Sequence, residues 1–440
     1  MKISRRDALM SSLFGAGMVG LRALATGLPA SFLLNPRKAL ADDPTPSCTS
    51  PQYVIFSTST SGDALNANVP GTYLPQFSDI VHSADDSMAP LPMTIGGTQY
   101  TAATPWTQLD PTIISRTSFF HIMTNTPVHP QEGLVLGLMG GVAGNQMFPT
   151  YIAKALAPCL GTIQNEPISV GAANPNEALA DSSLPLPVIL PTALKATLTN
   201  APGALTNLQS LRDQTLNSMY GLYKNTANAA QKAYIDSLVT SQTQARGIRQ
   251  DLLASLQNLA DDSPTSQILA AIALIQMNVS PLVSIHLPFS GDNHHDAGLA
   301  NETSQTVSGV QSIAYLMSQL ATAKLTDKVT FLSLNVFGRT LAGGGNGING
   351  RNHNPNHQVS IAIGKGFKGS VIGGITPVNG DYGALPIDSS SGLGSASGDI
   401  AAVDTLAAFG ATALTAVGVD PSVVTTAIPN GKVIGPALAS

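Results

Sequence analysis

The chain has few charged residues, and this scarcity limits the partners it can bind. Asp, Glu, Lys and Arg make up 11% of its 440 residues, and the formal net charge is −5. Proteins that bind nucleic acid or an anionic membrane surface need a field of basic residues, which this composition does not supply. We therefore expect neither nucleic acid nor a membrane surface among its partners.

Three further features are scarce or missing. The chain has only two cysteines, Cys48 and Cys159, and neither has the spacing of a metal ligand. In an oxidising compartment they are candidates for one disulfide, although the sequence alone does not establish the pairing. The glycine-rich run 343–347 lacks the terminal Lys-Ser/Thr of a phosphate-binding loop, so we interpret it as an ordinary loop. No internal repeat is evident.

The N-terminus carries an export signal. Arg5 and Arg6 form a twin-arginine pattern, a weakly apolar stretch follows over residues 11–34, and residues 39–41 form a small-residue cleavage signal. We predict that residues 1–41 are removed after the twin-arginine translocase exports the chain. The mature protein is then expected in the periplasm or outside the cell, with no transmembrane anchor.

The remaining sequence predicts one α/β domain over residues 42–440. Five apolar runs indicate buried strands, at residues 53–56, 117–123, 282–287, 329–334 and 359–363. Apolar residues at helical spacing predict helices over residues 268–277, 311–323 and 403–417, and a helical insertion over about 203–262. Helices that alternate with strands favour a mostly parallel sheet flanked by helices. Residues 78–111, rich in Pro, Gly and Thr, are expected to form a surface excursion.

Most of the histidines are concentrated in short polar loops. Six of the eight lie in three such loops, at residues 121–129, 292–296 and 352–357. Imidazoles and carboxylates at the carboxyl ends of strands commonly build a metal site or an acid/base site in α/β proteins. The alternative is that these are scattered surface histidines in loops that collect polar residues for turn chemistry.

Four residues are the candidate metal ligands, and we expect them to approach one cleft. Asp63 closes the loop after the first strand, Asp292 and His294 follow the strand at 282–287, and His353 precedes the strand at 359–363. The Asp-x-His spacing lets a carboxylate and an imidazole converge on one ion. For Asp63 an ordinary Ser-Gly-Asp turn is an equally good interpretation.

Two residues are candidates for catalytic roles. Arg339 follows a strand and can bind either a phosphate or sulfate oxygen or a structural carboxylate. His129 precedes Pro130, a position where chains often simply turn, so it is the weaker candidate. His286 lies within a strand and is expected to be a hydrogen-bonded core histidine.

Several of these motifs together resemble the secreted family known as domain of unknown function 1501. The matching pieces are the twin-arginine leader and the residues at 61–70, 292–294, 336–339, 350–353, 366–373 and 418–421. The resemblance spans nearly the whole mature chain, and it implies a fold similar to that of the alkaline phosphatase and sulfatase superfamily. It also implies a metal site and hydrolysis of a small anionic ester.

The chain differs from the family pattern at two acidic positions. Where the pattern has Glu before Phe-Gly-Arg this chain has neutral residues, including Asn335, and where it has Asp before the histidine this chain has Asn352. Amide oxygens bring no charge, so a dinuclear zinc site is weakened or lost. One divalent ion, zinc, calcium or magnesium, remains the expectation, and a site that has lost its metal is the alternative.

Two functional hypotheses follow. The first is an exported, metal-assisted hydrolase of phosphate or sulfate esters. The second is a catalytically silent exported protein that keeps the fold and binds another, unknown exported protein. Retention of Asp63, Asp292, His294 and His353 favours the first hypothesis, whereas the neutral residues Asn335 and Asn352 favour the second.

Overall fold

The structure is a computed structural model that describes most of the residues between 48 and 439. The described residues are 48–59, 65–126, 135, 147–162, 164–171, 179–181, 184–186, 188–199, 218, 220–222, 224–225, 232, 256–289, 293–343 and 349–439. The predicted export signal at 1–41 and most of the predicted helical insertion at 203–262 lie outside these residues.

The described residues form a mixed α/β structure. Its strands are β1 (Tyr53–Ser59), β2 (Pro90–Ile95), β3 (Thr98–Ala103), β4 (Thr117–Ile122), β5 (Ile168–Ser169), β6 (Ala180–Asp181), β7 (Leu184–Pro185), β8 (Leu282–Ile285), β9 (Val329–Asn335), β10 (Gly338–Arg339), β11 (His353–Asn354), β12 (Gln358–Ile363), β13 (Ser370–Ile372), β14 (Ile375–Val378) and β15 (Asp381–Ala384). Its α-helices are α1 (Thr104–Thr107), α2 (Pro111–Ile114), α3 (Phe148–Leu160), α4 (Pro191–Thr199), α5 (Pro264–Gln276), α6 (Ala300–Thr322), α7 (Thr405–Ala416) and α8 (Pro421–Ala427).

Seven strands form the central sheet, in the order β13-β4-β12-β9-β1-β8-β5. All neighbouring pairs are parallel except those made by β12, which runs antiparallel to both β4 and β9. The chain leaves β9 at the carboxyl edge and re-enters the sheet at that same edge, and residues 336–343 and 349–357 of the connection contain no crossover helix, so β12 runs in the opposite direction. The predicted fold class, a mostly parallel sheet flanked by helices, is confirmed.

Helices cover both faces of the sheet. Along β1, Ile55 faces the core cluster that includes residues of α5 and α6, while its neighbours Val54 and Phe56 face the cluster that includes residues of α3 and α7. This alternation follows from the two-residue period of a strand. All three side chains are fully buried, which explains why the strand appears in the sequence as a continuous apolar run.

Residues 78–111 do more than cross the surface. They contain the antiparallel hairpin β2–β3 and the short helix α1, and they end at the first residue of α2. Met93, Ile95 and Trp106 from this segment are buried in the same cluster as α5 and α6. Most residues between 78 and 100 are exposed, in line with the predicted surface excursion, but the prediction missed the hairpin, which a few buried apolar side chains are enough to anchor.

A disulfide joins the start of the described chain to its body. Cys48 pairs with Cys159 at the end of α3, with a Cα–Cα distance of 6.2 Å. Next to it, the Thr49 amide donates a hydrogen bond of 3.0 Å to the Gly418 carbonyl. The two cysteines that the sequence offered as candidates therefore do pair. Within the described part of the chain, no helix is both long and apolar enough to cross a membrane.

Candidate functional site

The candidate site lies at the carboxyl edge of the central sheet. Strands β1, β8 and β9 end there, and β12 begins there, because Gln358 is the register partner of Ile122 at the end of β4. The loops that follow β8 and precede β12 carry His294 and His353. Ligands commonly bind at this edge in open α/β sheets.

His294 and His353 meet across this edge. Their Nε2 atoms are 2.9 Å apart, although 59 positions separate them in the sequence. Both side chains are half-buried. Two nitrogen lone pairs at this distance would repel, so either a proton lies between them or both bind one cation. The sequence predicted that these two histidines would approach each other, and the structure brings them together.

The ring of His353 is held in place from one side. It stacks on Phe337, with ring centroids 4.1 Å apart and an interplanar angle of 27°. The short ladder between β10 and β11 makes His353 the register partner of Arg339. The backbone and the ring of His353 are therefore fixed by the same segment, residues 337–339, which follows β9.

Arg339 is adjacent to this pair but wholly buried. Its side chain is 0% exposed, and its guanidinium carbon lies 5.1 Å from the centroid of the Phe337 ring. This burial is compatible with both roles that the sequence left open, an oxyanion of a substrate and a carboxylate of the protein. The guanidinium places a positive charge beside Phe337, the ring on which His353 stacks, in surroundings where water screens it weakly.

A buried ion pair connects the loops that carry the two histidines. Arg351 and Glu302 are both 0% exposed, and Arg351 donates to both carboxylate oxygens, from Nη2 at 2.9 Å and from Nε. Glu302 lies in the first turn of α6, directly after the loop of His294, whereas Arg351 lies two residues before His353.

The same two loops are also joined through their backbones. The Arg351 amide donates a hydrogen bond of 3.0 Å to the Asn293 carbonyl. A Cβ at Gly350 would lie 1.9 Å from that carbonyl oxygen, so only glycine allows the loops to approach this closely. The position of His294 relative to His353 is therefore set by a rigid, buried connection.

Arg351 satisfies several further groups. It donates from Nη1 to the Thr340 carbonyl at 2.6 Å and the Leu341 carbonyl at 3.1 Å, and from Nη2 to the Val81 carbonyl at 2.6 Å. Glu302 accepts from the side chains of Asn68 at 2.8 Å and Asn293 at 3.3 Å. The contact of Arg351 with Val81 spans 270 positions, and that of Glu302 with Asn68 spans 234.

Neither Glu302 nor Arg351 was singled out from the sequence. The available signal was the scarcity of charge. In a chain with only 11% charged residues, each charged side chain is a candidate for a specific structural or functional role. Arg351 also lies within the motif at 350–353.

Two more histidines form a buried pair nearby. His121 at the end of β4 and His357 before β12 are 0% exposed, and His121 Nδ1 lies 2.9 Å from His357 Nε2. Burial lowers the pKa of His121 to about 4 and that of His357 well below its ordinary value, so both are neutral at pH 7. They lie at the same edge as His294 and His353.

Three of the predicted site residues lie outside the described residues: Asp63, Asp292 and His129. Their roles as ligands or as a catalytic group therefore stay predictions. His286 is hydrogen-bonded, as expected. Its Nδ1 lies 3.0 Å from the Thr58 carbonyl oxygen, and because a carbonyl can only accept, the proton is on Nδ1.

The donor set of His294 and His353 fits one divalent ion. Zinc–nitrogen bonds are about 2.0–2.1 Å long, so two nitrogens 2.9 Å apart can both reach a single ion. Among the described residues no group of three or more His, Cys, Asp or Glu side chains is close enough to hold a metal. Two imidazoles thus supply part of a ligand set, and the other predicted ligands are Asp63 and Asp292.

Comparison with known proteins gives limited matches. No known family and no curated protein matches the sequence. Among solved structures, the chain is similar to Ps i-CgsB in complex with k-i-k-neocarrahexaose, at 10% identity and a TM-score of 0.34, covering 87% of this chain and 77% of that one. It is also similar to BT4656 in complex with its substrate D-glucosamine-2-N,6-O-disulfate, at 11% identity and a TM-score of 0.30, covering 88% and 82%. With both TM-scores below 0.5, no residue role is transferred from either protein to this chain.

Proposed function

We propose that the protein is an exported, metal-assisted hydrolase of phosphate or sulfate esters. The observation that carries the proposal is the convergence of His294 and His353, whose Nε2 atoms are 2.9 Å apart at the carboxyl edge of the sheet. The buried ion pair of Arg351 and Glu302 holds the two loops together, which suits a site that must keep its ligands at fixed positions. The resemblance at residues 292–294, 336–339 and 350–353 supports the same class of site.

In this proposal His294 and His353 bind one divalent ion, with Asp63 and Asp292 as the further ligands predicted from the sequence. When bound, such an ion polarises an ester oxygen and lowers the pKa of a bound water. Phe337 orients His353 by stacking, and the connection between Arg351 and Glu302 holds the two histidine loops together. These residues keep both imidazole nitrogens directed at one point.

Arg339 contributes charge from a distance in this proposal. Its side chain is 0% exposed, and it supports an anionic substrate through its positive field. Asn335, at the end of β9, and Asn352 carry no charge. They therefore do not neutralise the positive charge of Arg339, as carboxylates at these positions would. The substrate class that fits is a small anionic ester.

The second candidate function is a silent exported protein that binds an unknown exported partner. The neutral residues Asn335 and Asn352 favour it, because a site that no longer needs to hold a metal can lose acidic ligands without cost. In that case a proton lies between His294 and His353, and the pair only stabilises the two loops.

Hydrolysis of aryl phosphate and aryl sulfate by the mature protein, with added zinc, calcium or magnesium, separates the two functions. We expect turnover by the wild type and a loss of more than about 100-fold in kcat/KM for His353→Ala. Loss of a residue that only supports a metal ligand typically costs about 10- to 100-fold, and loss of the ligand itself should cost more. His295→Ala is the matched control, because His295 is exposed and follows His294 directly. Turnover that His353→Ala leaves unchanged would refute the hydrolase proposal, and no turnover with any metal would favour the silent protein.

Export by the twin-arginine translocase and a periplasmic or secreted location are part of the same proposal. They depend on the pattern at Arg5 and Arg6. The disulfide between Cys48 and Cys159 supports them, since such bonds persist in oxidising compartments.

A further inference from the structure

Two buried histidines that the proposed chemistry does not use form one continuous hydrogen-bonded chain. His121 Nε2 lies 2.9 Å from the Pro70 carbonyl oxygen, and His121 Nδ1 lies 2.9 Å from His357 Nε2. On its other side, His357 Nδ1 lies 3.4 Å from Asn66 Nδ2. We call these residues, Asn66, Pro70, His121 and His357, the imidazole relay. It connects the segment after β1 with β4 and with the start of β12.

The partners in this relay fix both tautomers. The Pro70 carbonyl can only accept, so His121 carries its proton on Nε2 and its Nδ1 must accept. His357 therefore donates from Nε2 to His121, and its own Nδ1 accepts from the Asn66 amide. Every ring nitrogen of the pair then has the partner its protonation requires, without any net charge in a fully buried location.

The relay ends at the backbone of the candidate site. Asn66 Nδ2 donates a hydrogen bond of 2.6 Å to the Arg339 carbonyl. Arg339 is the register partner of His353 across the two-stranded ladder of β10 and β11. The imidazole relay is therefore separated from His353 by a single pair of backbone partners.

Two glycines show how closely the relay packs against its neighbours. A Cβ at Gly338 would lie 1.7 Å from the His357 carbonyl oxygen and 3.0 Å from Asn66 Nδ2. A Cβ at Gly71, whose φ is +102°, would lie 2.7 Å from His121 Nε2. Because backbone is in contact with the relay at both ends, a displaced imidazole would have to move residues 338–339 as well.

We propose that His121 and His357 are positioning residues of the candidate site, which act through Asn66 and the Arg339 backbone to hold His353 at the distance from His294 that ion binding requires. The inference rests on the proposed function in one respect, namely that His353 is positioned in order to bind an ion. The relay itself, its tautomers and its influence on His353 do not depend on catalysis. They can be tested in protein that turns over no substrate.

The test uses mature protein with 15N-labelled histidine, without added metal, followed by titration with Zn²⁺, Ca²⁺ and Mg²⁺. In the wild type we expect both His121 and His357 to be neutral with the proton on Nε2. His357→Leu removes the donor to His121 and should shift the ring-nitrogen signals of His353 and weaken Zn²⁺ binding by about 10- to 100-fold, the range seen when groups behind metal ligands are lost. His357→Gln keeps an amide donor toward His121 and should restore most of both.

Two further variants separate positioning from loss of stability. Leu320→Ala removes a buried side chain near the end of α6, about 27 Å along the helix from Glu302, and should destabilise the fold without moving the His353 signals. Asn66→Ala breaks the last link of the relay and replaces His357→Leu as the test if that variant does not fold. It should shift the His353 signals in the same way.

Unchanged His353 signals and an unchanged Zn²⁺ affinity in a folded His357→Leu or Asn66→Ala variant would overturn the inference, as would a wild type in which His121 carries its proton on Nδ1. If the wild type binds none of Zn²⁺, Ca²⁺ and Mg²⁺, the proposed function fails on that result. The His353 signals still decide whether the relay positions this residue.

Discussion

Replacing Arg351 by Met should be among the most destabilising single substitutions in this protein. The guanidinium is 0% exposed and donates to both oxygens of Glu302 and to the carbonyls of Val81, Thr340 and Leu341. Methionine has similar length but no donor, so it leaves a buried carboxylate without its counter-charge and three carbonyls without this donor. Removal of one partner of a buried ion pair costs about 3–5 kcal/mol.

The expected value lies toward the lower end of that range. Glu302 keeps the donors Asn68 and Asn293, which still satisfy part of its charge. A loss of about 3 kcal/mol is nonetheless a large fraction of the 5–15 kcal/mol that typically stabilises a domain. Urea unfolding of the mature protein, followed by circular dichroism, gives this difference directly.

A surface ion pair and a double variant provide the controls. Lys432 and Asp399 form an ion pair whose side chains are 57% and 44% exposed, so Lys432→Met should cost less than about 1 kcal/mol. The double variant Arg351→Met with Glu302→Leu removes the uncompensated charge and should be more stable than Arg351→Met alone. The reasoning is refuted if Arg351→Met costs no more than Lys432→Met, or if the double variant loses the sum of the two single changes.

Three further predictions concern acid, reduction and export. The pKa of His121 is about 4 in the folded chain, below its ordinary 6.5, so the unfolded chain takes up a proton first as pH falls, and His121 alone should remove roughly 3 kcal/mol of stability between pH 6.5 and 4. Burial lowers the pKa of His357 as well, so the wild type loses more than this share; urea unfolding of wild type and His121→Gln across this window isolates the contribution of His121, and equal slopes would count against the assignment. Replacing Cys48 and Cys159 by Ser opens a link across 111 positions and should lower the free energy of unfolding by up to about 5 kcal/mol; an unchanged thermal midpoint would contradict this. Changing Arg5 and Arg6 to Lys should leave the precursor in the cytoplasm on cell fractionation, and normal periplasmic appearance would show that the leader is not a twin-arginine signal.

The strands of the sheet were predictable because they are buried on both faces. β1, β8, β9 and β12 appear in the sequence as short, nearly continuous apolar runs. The direction of β12 was not predictable, because it depends on where the chain re-enters the sheet and not on the composition of the strand. The helix predicted at 311–323 begins instead at Ala300. Its first turns are polar and show no apolar periodicity in the sequence, and they are held by the ion pair of Glu302 with Arg351.

The candidate site was predictable only in part, for a similar reason. The approach of His294 to His353 was predictable because His294 follows β8, which ends at this edge, and His353 precedes β12, which begins there. The pairing of His121 with His357 joins residues 236 positions apart, and that of Glu302 with Arg351 joins residues 49 apart. No local pattern marks such contacts, because they depend on how strands order themselves in the sheet.

The most direct test of the central claim is the divalent metal content of mature protein exported in its native host, measured by elemental analysis beside His294→Ala. The claim that His294 and His353 bind one ion predicts about one divalent ion per chain in the wild type and a sharp fall in the variant, since the remaining imidazole and the neutral Asn335 and Asn352 do not replace the lost ligand. Metal-free wild type, or metal content that His294→Ala leaves unchanged, would contradict it.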